Sequence, residues 1–165
     1  MADTVTYDYS QGDISAVSGA AGVKITRLVR VVDVPTLITA ASASLTSATT
    51  LTAAESITVF TLPVGFLVMG TVVYVHTVGT GTIDIGIPAD ETALDAAVDI
   101  SAVGWANTET DAQGIASGGY LITATTSDAD NIIVQFNSTG STGRFVIAVW
   151  GIDFSDLIQL GAQTT

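Results

Sequence analysis

Residues 57–87 have the sequence ITVFTLPVGFLVMGTVVYVHTVGTGTIDIGI, and this stretch decides the fold class. At both of its ends, apolar and polar residues alternate, which is typical of strands with one buried face. Between them, 66–77 is a long β-rich run, and it is preceded by Leu62-Pro63-Val64-Gly65, which predicts a turn. Because glycine accepts positive φ, Val78-Gly79-Thr80-Gly81 predicts a hairpin connection. The stretch therefore predicts three β-strands separated by tight turns.

More strands are predicted on either side of this stretch. Before it, the β-branched residues of Val23–Val34 continue up to Pro35, which suits a strand. After it, three segments have the β-branched and aromatic content of strands: Tyr120–Thr125, Ile132–Phe136 and Arg144–Ile152. The last two are separated by the flexible segment 137–143, which predicts a second hairpin loop.

Helices are predicted to be few and short. Pro88–Ile100 is the best candidate, because Asp90 would complement a helix N-terminus and Leu94, Ala97 and Val98 would share one face.

The predicted elements define the architecture of the chain. Seven or eight short strands between glycine-rich turns predict an all-β fold, an antiparallel β-sandwich of jelly-roll type with one short helix. We expect a single domain over 23–165, preceded by an extended N-terminal arm, 1–22. The Thr-, Ala- and Ser-rich run 39–56 fits either an extended segment or a weak helix. A terminal helical turn is predicted at Phe154–Leu160.

The composition limits the classes of function. Of the 165 residues, 48% are hydrophobic and only 12% are charged, whereas about a quarter is usual in globular proteins. Thr, Ser, Gly and Ala must therefore cover much of the surface, which suits packing against other protein. The net charge of −12 argues against binding to nucleic acid or to an anionic membrane. The N-terminus has no features of a signal peptide, and no apolar run is long enough to span a bilayer.

Catalytic and metal sites are not supported by the sequence. His76 is the only histidine and lies in a strand-like run, and there is no cysteine for a thiolate or zinc site. The segment Ser127–Asn131 begins like a calcium loop, but Ile132 stands at the next ligand position, so we predict a turn. A glycosidase would need a cleft lined by aromatic residues, and only 7% of the chain is aromatic. We expect no enzyme activity, no cofactor and no metal.

Three of the four basic residues lie close together. Lys24, Arg27 and Arg30 fall within the first predicted strand, where alternation would turn Arg27 to the face opposite the other two. They are either solubilising charges on a strand edge or a contact patch for an acidic neighbouring subunit.

The central stretch resembles structural proteins of tailed bacteriophages. The resemblance rests on the Leu62-Pro-Val-Gly65 turn leading into a long strand and on the Gly79-Thr-Gly81 connection leading into the strand Ile83-Asp-Ile-Gly-Ile87. An Asp-containing segment, 90–99, and a late strand pair follow, so the resemblance covers about 60–152. It implies a virion protein, either a capsid decoration (cement) protein or the base of a head fibre, and such proteins are often trimers.

Several functions remain open at this stage. The first is a protein that decorates the outer capsid surface as a homotrimer and bridges copies of the major capsid protein or another virion protein, with Lys24, Arg27 and Arg30 as capsid contacts. The second is a non-enzymatic fibre or carbohydrate-binding module. The third is a glycoside-active enzyme, which the scarcity of aromatic residues disfavours.

Overall fold

Two antiparallel β-sheets pack face to face in the computed structural model, which describes residues 24–41, 45, 47, 49–106, 119–123 and 131–154. In the front sheet the strand order is β1-β9-β3-β6, and β7 also pairs with β3. In the back sheet the order is β2-β8-β4-β5. The elements are β1 (Lys24–Asp33), α1 (Val34–Ala41), β2 (Ser56–Thr61), β3 (Phe66–Thr77), β4 (Thr82–Ile87), β5 (Asp90–Asp99), β6 (Gly104–Trp105), β7 (Tyr120–Leu121), β8 (Asn131–Phe136) and β9 (Arg144–Asp153). The predicted all-β antiparallel sandwich is confirmed.

The core lies between the inner faces of the two sheets. Alternate residues of the long strands point inward, as a strand period of two requires. Fully buried examples are Val68, Val73 and Val75 of β3, Ile83 and Ile85 of β4, Ile132 and Val134 of β8, and Phe145, Ile147 and Val149 of β9. Burial of apolar area contributes about 25 cal/mol per Å². These side chains therefore hold the sheets together without a disulfide, since the chain has no cysteine.

Both predicted hairpins are wrong, because each glycine-rich segment crosses from one sheet to the other. The Val78–Gly81 segment joins β3 of the front sheet to β4 of the back sheet, and 137–143 joins β8 to β9 in the reverse direction. Each segment makes its hydrogen bonds with distant chain instead. Gly79 N donates to Ile100 O at 2.8 Å, and Gly140 N donates to Leu51 O at 2.9 Å.

The helix predicted at Pro88–Ile100 is also wrong, since β5 occupies this segment. The register between β4 and β5 shifts twice, so that Ile83 opposes Val98, Ile85 opposes Asp95 and Ile87 opposes Asp90. Extra residues on β5 are the mark of β-bulges, which break the alternation of a strand. As a result the buried residues of β5 fall at 94, 95 and 98, a spacing that imitates a helix.

One bulge position gives a stability prediction. Ala97 has φ of 55°, a left-handed conformation that costs a non-glycine residue roughly 1 kcal/mol. Ala97→Gly should therefore raise the free energy of unfolding by a few tenths of a kcal/mol to about 1 kcal/mol. The gain is below the full strain energy because glycine also raises the entropy of the unfolded chain. The neighbouring Ala96→Gly is the matched control and should lower it by about 0.5–1 kcal/mol. Urea unfolding of both variants tests this, and equal losses in both would contradict it.

The short helix lies elsewhere, directly after β1. The carboxylate of Asp33 accepts a hydrogen bond from Thr36 N at 3.1 Å, the geometry of an N-cap, and Pro35 fits the first turn. Leu37 and Ile38 are buried and close one end of the sandwich. The strand predicted at Tyr120–Thr125 is shorter, since β7 contains only its first two residues. The arm 1–22 and the terminal turn at 154–160 lie, apart from Phe154, outside the described residues.

Candidate interaction surface

The outer face of the front sheet is covered largely by apolar side chains. Residues that oppose each other on neighbouring strands point to the same side, so the register defines rows across the sheet. Four of the outward rows are Ile25–Ile152–Leu67–Leu121, Arg27–Trp150–Gly70, Val29–Ala148–Val72 and Val31–Val146–Tyr74–Trp105, and a fifth, Asp33–Arg144–Thr77, is polar. Arg27 is the one charged residue in these four rows. We call this surface the apolar face.

Several large side chains of the apolar face are open to solvent. The exposed fraction is 57% for Ile25, 70% for Trp105 and 47% for Leu121. Scattered apolar residues are normal on protein surfaces, but contiguous patches mark places where protein or ligand binds. The arrangement in adjoining rows therefore identifies the apolar face as a candidate contact surface.

Aromatic residues on the apolar face are held in place by their neighbours. The rings of Tyr74 and Trp105 meet edge to face, with centroids 5.1 Å apart and planes at 75°. The indole of Trp150 lies against Gly70, where an added Cβ would overlap it. Rigid Trp and Tyr side chains are the residues that most often dominate binding energy at protein interfaces.

The outer face of the back sheet has the opposite character. Its rows are Ser56–Gln135–Asp84, Thr58–Ile133–Gly86 and Thr61–Asn131. Polar groups here are satisfied within the sheet: Thr61 Oγ1 donates to Asn131 Oδ1 at 2.8 Å, and Ala97 N donates to Asp84 Oδ1 at 2.7 Å. One face of the sandwich thus suits solvent and the other suits a partner.

The predicted contact residues Lys24, Arg27 and Arg30 all belong to β1, but they do not form one patch. Arg27 points outward on the apolar face, opposite Trp150. Arg30 points inward, and its Nε donates to the carbonyl oxygen of Val59 in β2 at 3.1 Å. Lys24 is the first residue of β1. The predicted alternation of Arg27 and Arg30 is confirmed, while their role as capsid contacts stays a prediction.

The fourth basic residue completes a basic side of the molecule. Arg144 begins β9 and lies opposite Asp33 in the register, with Nε 3.9 Å from Asp33 Oδ2. All four basic residues of the chain are therefore carried by two adjacent strands. The acidic residues Asp90, Glu91 and Asp99 lie on β5, at the far edge of the back sheet.

Among the described residues, His76 and Asp95 lie in different environments. His76 is exposed near the end of β3. Asp95 is buried between the sheets, with 1% of its surface exposed, and its Oδ2 accepts a hydrogen bond from Thr71 Oγ1 at 3.4 Å. Within the described ranges, no group of three or more carboxylate and histidine side chains is placed to hold a metal ion. The calcium-like segment at 127–131 lies outside the description except for Asn131.

The described elements include no helix with the length and hydropathy of a membrane span.

Comparison with known proteins gives one informative likeness. A scan against models of protein families and a search of curated proteins find no match. Among solved structures, this chain is similar to a chain of the "Cyanophage Pam1 capsid asymmetric unit", at 17% identity and a TM-score of 0.51. The match covers 90% of this chain and 98% of that chain, so the two are of similar length. At this identity the likeness is one of fold.

The apolar face was not predicted, although the sequence contains a signal for it. In β9 the residues Phe-Val-Ile-Ala-Val-Trp-Gly-Ile, 145–152, are apolar at inward and outward positions alike. A strand that is apolar on both sides is expected to be covered on both sides. The long run of β3 has the same property. Neither strand has the polar outer face of a strand that borders solvent.

Proposed function

We propose that this chain is a structural, non-enzymatic protein of a bacteriophage virion, which decorates the outer capsid surface and bridges neighbouring capsid subunits. The observation that carries the proposal is the apolar face, a contiguous surface with exposed Trp and Tyr side chains on a chain poor in charge. Contact between such a surface and a capsid subunit buries apolar area while desolvating few charges.

The fold supports this proposal. If β6 and β7 are counted as one interrupted strand, the eight strands have the order 1-8-3-6 in the front sheet and 2-7-4-5 in the back sheet. This order supports a jelly-roll topology for the chain, and jelly rolls are found in viral capsids as well as in lectins. Between a capsid protein and a lectin, the similar chain in the cyanophage capsid favours the capsid protein.

The proposed mechanism is stabilisation by preferential binding. A protein that binds the assembled shell, but not its dissociated subunits, shifts the equilibrium toward the shell. In this proposal the domain is 23–165, the arm 1–22 projects from it, and three copies form a homotrimer. A trimer presents three apolar faces, so simultaneous contacts multiply the binding strength.

The direct test compares purified particles of the virus that encodes this protein, with and without it. Particles that contain the protein should release their DNA at a higher temperature, and the protein should sediment with the shell. Identical thermal stability would contradict the decorating role, and a monomer in light scattering at micromolar concentration would contradict the trimer.

The contribution of Arg27 gives a separate prediction. If the shell presents acidic groups to the apolar face, Arg27→Gln should slow association several-fold at low salt, because exposed charges act mainly on the association rate. The loss should shrink at 0.5 M salt, where the screening length is only a few ångströms. Arg30 is not a suitable substitution, since it also bonds Val59 O. Salt-independent binding by both proteins would exclude a charge contact at Arg27.

A further inference from the structure

A cleft opens on the side of the sandwich where β1 and β2 lie. These are terminal strands of the front and back sheets in the described part of the chain, and the two sheets are not joined there by a strand ladder. The cleft has a volume of about 220 Å³ and is bordered by residues 30–33 and 57–59 and by Thr36 and Leu37 of α1. Pockets for small organic ligands usually have about 300–1,000 Å³. The size suits one or two side chains of an extended peptide.

The positively charged side chains that border the cleft favour a peptide with carboxylate groups. Among the described residues, Arg30 and Arg144 both border the cleft, together with the carboxylate of Asp33. The rest of the chain is strongly acidic, so this side is where a segment with carboxylates is attracted rather than repelled. A terminal strand also offers main-chain donors and acceptors to an added strand, as in peptide recognition by β-augmentation.

The N-terminal arm has the required chemistry. Residues 1–22 contain three aspartates, at 3, 8 and 13, and no lysine or arginine. Within the arm, Thr4-Val5-Thr6-Tyr7-Asp8-Tyr9 alternates β-branched polar or acidic residues with apolar ones, the pattern of a strand with two different faces. We infer that residues 4–9 of a second copy of this chain bind in the cleft between β1 and β2 as an added strand.

Distances along the chain favour a second copy over the arm of the same copy. The cleft residues 30–33 lie about 20–30 Å from Lys24, at about 3.3 Å per strand residue. An extended arm that folded back along its own β1 would carry residues 4–9 about 50–65 Å from Lys24, past the cleft. That reach also exceeds the longest strand of the domain, β3, at about 40 Å. The arm is therefore long enough to leave its own domain and reach a neighbour.

Arm exchange of this kind would set the geometry of assembly. The donor segment and the acceptor cleft are different surfaces, so copies that exchange arms close either reciprocally, as a swapped dimer, or head to tail, as a ring. The inference does not depend on the virion role, because it concerns contacts between copies of this chain alone.

The test uses disulfide trapping, which is clean because the natural chain has no cysteine. One tagged full-length variant carries Tyr7→Cys and an untagged one carries Thr36→Cys, and the two are co-expressed and oxidised. We expect the mixed disulfide dimer to exceed the same-variant dimers at least tenfold. Asp8→Cys replaces Tyr7→Cys in a second pairing, because alternation places residues 7 and 8 on opposite faces of the arm. The matched control is Thr92→Cys, exposed on β5 at the far side of the back sheet.

The pattern of disulfides distinguishes binding by a second copy from binding by the same copy. Mixed dimers with Thr36→Cys from either arm variant, and few with Thr92→Cys, support the inference. A chain that carries both Tyr7→Cys and Thr36→Cys shows whether an internal disulfide forms. Internal disulfides without mixed dimers would overturn the second-copy assignment, because the cleft would then hold its own arm. Equal trapping at Thr36 and Thr92, or trapping at neither, would overturn binding of the arm in the cleft.

Discussion

Gly86→Ala is expected to lower the free energy of unfolding by about 3 kcal/mol, at the upper end for an overpacked site. Gly86 lies in β4 under the irregular part of β5, where four residues of β5 lie opposite one residue of β4. A Cβ at this position would overlap the main chain of Asp90 and Glu91. Main chain held in a sheet does not rotate away as a flexible side chain does. At roughly 2–4 °C per kcal/mol, Tm should fall by about 6–12 °C.

The matched control is Gly140→Ala. Its added Cβ would meet Cβ and Oγ1 of Thr80 at 3.1 Å, a contact that a shift of a few tenths of an ångström relieves. We expect a loss below about 1 kcal/mol, typical of a surface substitution. Thermal and urea unfolding of the two variants measure the difference. Equal stability of Gly86→Ala and the natural chain would show that β5 does not cover Gly86 as described.

Strand alternation predicted the sandwich because most strands of this chain have one buried face. The predicted segments at 57–61, 66–77 and 83–87 correspond closely to β2, β3 and β4. The strand β5 was not predicted, because its bulges bring the adjacent residues Leu94 and Asp95 inward together and so remove the period of two. Helix α1 was not predicted either, although the sequence contains its N-cap, Asp33, and a proline in its first turn. The strongly β-branched run Val23–Val34 before it indicated a strand instead.

The paths of the connections between strands could not be predicted from the sequence, for a different reason. A turn such as Val78–Gly81 is compatible with a hairpin or with a crossing, since glycine permits both paths. Which one forms depends on the partners of the flanking strands, and β3 pairs with β9, which lies far along the chain. The same long-range pairing creates the rows of the apolar face. Trp150 is brought between Arg27 and Gly70 by register alone.

Trp150→Glu is expected to weaken binding to the capsid shell by about 30- to 1,000-fold, the effect of losing a central aromatic anchor. Trp150 lies in the second row of the apolar face, between Gly70 and Arg27, so a carboxylate there would have to be desolvated on contact. The fold should survive, because Trp150 points outward and 43% of its surface is exposed. Circular dichroism and thermal unfolding of the variant establish this before binding is measured.

Val78→Glu provides a control of equal exposure. Val78 is also apolar and 43% exposed, but it lies in the connection between β3 and β4 rather than on the apolar face. It introduces the same negative charge, so any general repulsion from the shell affects both variants alike. We expect Val78→Glu to bind within about threefold of the natural chain, as most exposed residues outside a contact do. Sedimentation of each protein with shells depleted of it measures both affinities. Equal binding by a folded Trp150→Glu and by Val78→Glu would remove the apolar face from the contact with the shell.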